Sequence, residues 1–135
     1  TCALPILADP RYKLELYRRF AGLDYGEKDD LLDEIIDRFG EPPEEVEVLW
    51  RVACLRALCR LLHIRGISVK PGELRITFAE NAAIDPTALM QLISEQQQYM
   101  NFKSGAQAQL IFRTVKLKTD SLTWLEKNLP RLAFD

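Results

Sequence analysis

Two periods of apolar and polar residues run along this chain, and the change from one to the other divides it. From Pro10 the apolar residues Leu14, Tyr17, Phe20 and Ala21 fall three and four apart, which predicts a helix with Asp9 as N-cap and Pro10 in its first turn. Gly22 and Gly26 bracket a short connection. From Glu27 to Phe39 the pattern is two-faced: Leu31, Leu32, Ile35, Ile36 and Phe39 share one side of a helix, and Asp30, Glu34 and Asp37 line the other. Gly40 and Pro42-Pro43 end it. A longer helix is expected from Pro43 or Glu44 to Leu62 or His63. Its acids lie in the first turn, its bases in the last, and Val46, Leu49, Trp50, Ala53, Ala57 and Leu61 form the main apolar stripe. Val52, Leu55, Leu58 and Cys59 widen that stripe, so this helix is expected at the centre of the core.

The period then becomes two. Ile67 and Val69, then Leu74, Ile76 and Phe78, alternate with polar residues around Lys70-Pro71-Gly72-Glu73, where Pro then Gly fits a type II turn. Asp85-Pro86 opens another helix through about Gln97, Gln107 to Thr114 reads as a strand, and Asp120 or Ser121 caps a last helix through about Asn128. Lys116 and Lys118, alternating with Val115 and Leu117, read as the solvent side of an extended edge segment. The order predicts an α+β fold, with helices packed around a small, mostly antiparallel sheet in a single domain at residues 10–135, after an N-terminal linker at residues 1–9.

Size and charge narrow the function classes. One domain of 135 residues with 47% hydrophobic and 28% charged residues has the balance of a globular chain. No apolar run approaches the roughly 20 residues of a membrane helix, and residues 1–10 lack a signal-peptide pattern, so the expected location is cytoplasmic, away from membranes. The chain opens at Thr1 without an initiator Met, and a segment of a longer protein is expected. Residues 1–50 hold 13 acids and 6 bases, residues 51–135 hold 7 acids and 12 bases. Acids gathered in one stretch do not make the dense basic face of a nucleic-acid binder.

Little in the sequence speaks for catalysis. Neither a phosphate-binding loop nor a dinucleotide fingerprint is present, and the six glycines are scattered. Of the three cysteines, Cys54 and Cys59 read as buried thiols of the long helix, and Cys2 lies near the terminus. His63, the single histidine, reads as a helix-end residue. No catalytic residue, metal site or cofactor is assigned. The acidic stripe of Asp30, Glu34 and Asp37 has three readings: a solvated face, a docking surface for a basic partner, or a metal or catalytic site. Like charges at helical spacing repel by about 0.2–0.5 kcal/mol per pair, a penalty that mixed signs would avoid, which favours docking.

Several segments resemble the C-terminal domain of bacterial transcription-repair coupling factors. They are Tyr12-Lys13-Leu14-Glu15-Leu16-Tyr17-Arg18-Arg19-Phe20; Glu34-Ile35-Ile36-Asp37-Arg38-Phe39-Gly40 followed by Pro42-Pro43-Glu44-Glu45-Val46; and Ala53-Cys54-Leu55-Arg56. Phe78-Ala79-Glu80-Asn81, Asp85-Pro86 with Leu89, Gln109-Leu110-Ile111-Phe112 and the helix bearing Trp124 follow in the same order. The resemblance implies a regulatory part of a larger ATP-dependent DNA translocase that acts on stalled RNA polymerase and recruits UvrA in transcription-coupled nucleotide excision repair. The translocase's ATPase motifs are absent from these residues, so the domain is expected to be non-catalytic. The resemblance further implies intramolecular docking on the N-terminal UvrB-like module, hiding its UvrA-binding surface, with Glu34 and Asp37 meeting arginines there; Asp30 is a geometric extension of that face. UvrA, RNA polymerase and DNA would be reached indirectly, through the parent protein. Three alternatives are a general interaction domain contacting RNA polymerase or UvrA, a nucleic-acid accessory module using Arg51, Arg56, Arg60, Arg65 and Lys70, and a small enzyme.

Overall fold

Three helices carry the first half of the chain, as the 3.6-residue period predicts: α1 (Pro10–Ala21), α2 (Lys28–Phe39) and α3 (Glu44–Leu62). The structure is a computed structural model that describes residues 10–134; the expected cap at Asp9, the linker at residues 1–9 and Cys2 lie outside the described residues. The chain divides into two compact units, residues 1–57 and 58–135.

In the first unit the buried side of α1 is not the one its periodicity suggests. Leu14 and Tyr17 are half exposed, while Leu16 and Phe20 are buried, with Tyr12 packed beside them. Two apolar stripes compete on this helix. The one at positions 12, 16 and 20 faces the core, where Tyr12 meets Phe39 of α2 edge-on with centroids 5.8 Å apart. Leu23 continues that core beyond the helix end. A 3-10 turn at Tyr25–Glu27 follows, capped by the Asp24 carboxylate, which accepts from the Gly26 N–H at 3.3 Å.

α2 buries Leu31, Ile35 and Phe39, four residues apart, and leaves Ile36 40% exposed. It stops at Gly40, whose φ of 82° lies in the left-handed region and whose N–H reaches Ile36 O at 2.8 Å. Within this unit α3 contributes Val46, Trp50, Ala53, Cys54 and Ala57 to the core. Its small residues allow close approach, and the Trp50 indole N–H donates to Lys28 O at 2.9 Å, fixing α3 to the start of α2. Leu49 and Leu61, placed on the stripe by periodicity, are 39% and 57% exposed.

The second unit is built on one antiparallel sheet of order β1-β2-β4-β3: β1 (Ile64–Lys70), β2 (Glu73–Phe78), β3 (Met100–Lys103) and β4 (Gln109–Arg113). β1 and β2 form the expected hairpin, with Lys70 opposite Glu73 and Gly72 at φ 79°, the conformation a type II turn demands at its third position. Leu74, Ile76 and Phe78 alternate inward on β2, and Leu110 and Phe112 inward on β4. Leu92 of α4 (Pro86–Glu95) and Trp124 and Leu125 of α5 (Ser121–Asn128) are also buried. Phe112 and Trp124 pack with ring centroids 4.7 Å apart and planes tilted by 39°. Both helices start as expected: the Asp85 carboxylate accepts from Thr87 N at 3.0 Å and the Asp120 carboxylate from Thr123 N at 2.7 Å. Buried Asn128 donates to Trp124 O and accepts from Arg131, whose guanidinium also pairs with Glu95.

The expected α+β class is therefore present, and the sheet is antiparallel throughout. Two further local expectations change. β3 is an additional strand, and the segment around Lys116 and Lys118 is a turn rather than an edge strand, with Leu117 N bonded to Thr114 O at 2.9 Å.

Candidate functional site

The face of α2 opposite its core stripe is a row of carboxylates. Burying Leu31, Ile35 and Phe39 turns Asp30, Asp33 and Asp37 outward, and all three are exposed. Asp33 belongs to this row although the sequence reading passed over it. It lies three residues after Asp30 and four before Asp37, so the same helical spacing finds it.

Glu34 sits on the flank of the row that faces α1, and there it is occupied. The Arg19 guanidinium of α1 grips it with both arms, Nη1 to Oε2 at 2.5 Å and Nη2 to Oε1 at 3.0 Å. Such a fork-to-fork pair uses both carboxylate oxygens in one plane. A second cross-helix pair of opposite sense lies beside it, Arg38 Nη1 on α2 to Glu15 Oε1 on α1 at 3.1 Å. Both pairs are about half exposed, with side-chain exposures of 43% and 42% for Arg19 and Glu34. The hydrogen bond from Arg19 holds the Glu34 carboxyl below its ordinary value of 4.5, with a Coulombic contribution from Arg38, and Glu34 in turn raises Arg19.

Arg19, Glu27, Asp30 and Glu34 line a cleft of about 280 Å³ floored by Leu23 and Leu31. The three residues singled out from sequence thus differ in position. Asp30 and Glu34 share this cleft, whereas Asp37 stands outside it, further along the helix. Among the described residues Asp37 makes no ion pair. A face of this kind accepts hydrogen bonds from guanidinium or ammonium groups, and Arg19 demonstrates the guanidinium geometry within the fold itself.

The bases considered for nucleic-acid contact fall in both units. In the first unit Arg51 is half-buried and Arg56 exposed; in the second Arg60, Arg65 and Lys70 are exposed. The second unit also carries an open, mainly apolar depression of about 430 Å³, lined by Phe78, Ile84, Leu89 and Phe102 among others. Among the described residues no helix is long and apolar enough to cross a membrane.

Comparison with known proteins places this chain in a family. Residues 6–89 match the family model of the TRCF domain. The chain is similar to the transcription-repair-coupling factor of Bacillus subtilis (strain 168), with 36% identity over 89 residues, 64% of this chain and 8% of that protein. It is also similar to the protein of the same name from Myxococcus xanthus, at 34% over 80 residues, 58% of this chain and 7% of that one. Against the Escherichia coli (strain K12) protein of that name, identity is 27% over 127 residues, 93% of this chain and 11% of the relative. The matched regions span about a tenth or less of these relatives. The fold resembles a crystal structure of the C-terminal domain of transcription-repair coupling factor, with a TM-score of 0.71 at 21% identity, over 93% of this chain and 84% of that one.

Proposed function

The chain belongs to the TRCF domain family, and from that premise we propose that it is a non-catalytic regulatory domain which docks through the α2 carboxylates on a basic surface of its parent coupling factor. The partner surface is the N-terminal UvrB-like module, and docking masks the site where that module binds UvrA. The parent is a cytoplasmic ATP-dependent translocase of transcription-coupled nucleotide excision repair, and this domain reaches UvrA, RNA polymerase and DNA through it.

The observation that carries the reading is the row of Asp30, Asp33 and Asp37, exposed on one helix with Glu34 at its edge. A docking contact of this composition is strengthened by charge-assisted hydrogen bonds and weakened by salt. It suits a latch: reversing a 99:1 closed population takes about 5.5 kcal/mol of differential binding, within reach when polymerase and DNA engage the parent.

The test is calorimetric titration of the domain with the separately expressed UvrB-like module, comparing wild type with Asp37→Lys. Asp37 is the position to reverse, because a lysine at position 34 would face Arg19 and unsettle the α1–α2 pairing as well. Binding that falls at least tenfold in Asp37→Lys supports the reading. Binding insensitive both to this change and to added salt rejects the carboxylate face as the contact.

A further inference from the structure

We propose that Arg19 is a resident competitor for Glu34, so that docking on the α2 face proceeds by exchange of one guanidinium for another. The inference rests on the reading above and adds the regulation of that same face.

Four observations carry it. First, Arg19 holds Glu34 through both carboxylate oxygens, Nη1 to Oε2 and Nη2 to Oε1. Those are the acceptor positions an incoming arginine would need for its own bidentate contact, so the two cannot be held together. Second, the pair is not sealed: each side chain keeps more than 40% of its surface in solvent, and a partner can approach it without local unfolding. Third, Arg19 has somewhere to go. Glu27 and Asp30 line the same cleft as Arg19 and Glu34, and the charges of Glu15 and Glu27 already act on the guanidinium. A displaced Arg19 therefore stays among carboxylates rather than turning into the approaching cation. Fourth, Asp37 lies outside the cleft and is unpaired among the described residues, which makes it the position for first contact.

The carboxylates thus divide their work. Asp37 is open at all times, whereas Glu34 becomes available to a second bidentate guanidinium only in the fraction of molecules where Arg19 has let go. Apparent affinity is reduced by that fraction. For a half-exposed ion pair the closed form is favoured by a factor of up to about five, so removing the competitor should tighten docking about two- to fivefold. Arg18, one residue earlier and exposed, supplies the control. It carries the same charge on the same helix but makes no contact with Glu34 in the structure.

The experiment is calorimetric titration of the UvrB-like module with wild type, Arg19→Gln, Arg18→Gln, Glu34→Gln and the double variant Arg19→Gln/Glu34→Gln. The expected result is two- to fivefold tighter binding for Arg19→Gln, little change for Arg18→Gln, and no effect of Arg19→Gln once Glu34 is already Gln. Arg19→Lys keeps the charge, forfeits the fork and should fall between wild type and Arg19→Gln; it serves as the reporter if Arg19→Gln melts below the titration temperature. Equal tightening by Arg18→Gln and Arg19→Gln overturns the inference in favour of net charge, and weaker binding by Arg19→Gln or Arg19→Lys overturns it in favour of Arg19 as a support for Glu34. Both results leave the docking reading intact. Absence of binding by every form removes the reading and the inference together.

Discussion

Removing Arg19 and Glu34 singly and together isolates what their pair contributes to the fold of the first unit. Two unit charges about 4 Å apart attract by about 1 kcal/mol in bulk water and by about 4 kcal/mol at an effective dielectric constant of 20. Side-chain exposures of 43% and 42% place this pair near the first limit, and holding two long side chains in register offsets part of the gain. The coupling energy from a cycle of Arg19→Gln, Glu34→Gln and the double variant should therefore be about 0.5–1 kcal/mol in low salt. For a chain of this length that coupling corresponds to roughly 2–4 °C in melting temperature, small but measurable as a free-energy difference by urea denaturation followed by far-ultraviolet circular dichroism. In 1 M salt the Debye length shrinks to about 3 Å and the coupling should fall by half or more. The pH dependence has a definite sign. Glu34 titrates below 4.5 in the folded chain, so the stabilisation is present above the ordinary carboxyl range and disappears as pH falls through the lowered value. A coupling below about 0.2 kcal/mol at neutral pH, or one that persists at pH 2, would refute the reasoning.

Three further outcomes are expected. His63 is exposed with φ at 57°, joining α3 to β1, so His63→Gly should be neutral to about 1 kcal/mol stabilising and His63→Val destabilising by about 1–2 kcal/mol in the same urea assay. Ile35→Ala should cost about 2–5 kcal/mol because Ile35 is fully buried, while Ile36→Ala, on the 40% exposed neighbour, should change stability by less than about 1 kcal/mol; similar losses at both positions would contradict the assigned face of α2. Burial pushes the Cys59 thiol up to about 11 from an ordinary 9.0, so native Cys59 should alkylate with iodoacetamide at pH 8 about a hundredfold more slowly than in urea, as read by peptide mass spectrometry.

Most helices and the hairpin were legible because their signals are local. Asp85-Pro86 and Asp120 are caps whose side chains can only satisfy the amides just ahead of them, and Pro71-Gly72 has one good turn type. The buried side of α1 was not legible, since Leu14 and Tyr17 offer as regular a stripe as Tyr12 and Leu16, and the contact of Tyr12 with Phe39 lies outside the spacing of the helix itself. β3 escaped because Met100-Asn101-Phe102-Lys103 is too short to show a period, and its pairing with β4 is what makes it a strand. Conversely, Val115-Lys116-Leu117-Lys118 alternates like a strand but lies beyond the last β2–β4 pair, where Thr114 N turns to Gly72 O. At the site, Asp30, Glu34 and Asp37 were visible as one helical face. Arg19 was not, because a partner fifteen residues away on another helix leaves no trace in the spacing of either.

If the α2 carboxylates hold the parent coupling factor closed to UvrA, as proposed, UvrA capture by the full-length protein reads it out. Immobilised UvrA would be presented with wild-type coupling factor and with the Asp37→Lys variant, without polymerase or DNA. A carboxylate latch requires that the variant be captured more strongly than wild type, and that the gap narrow as salt is raised and the wild-type contact weakens. Capture that is equal for the two proteins, or lower for the variant, would contradict it.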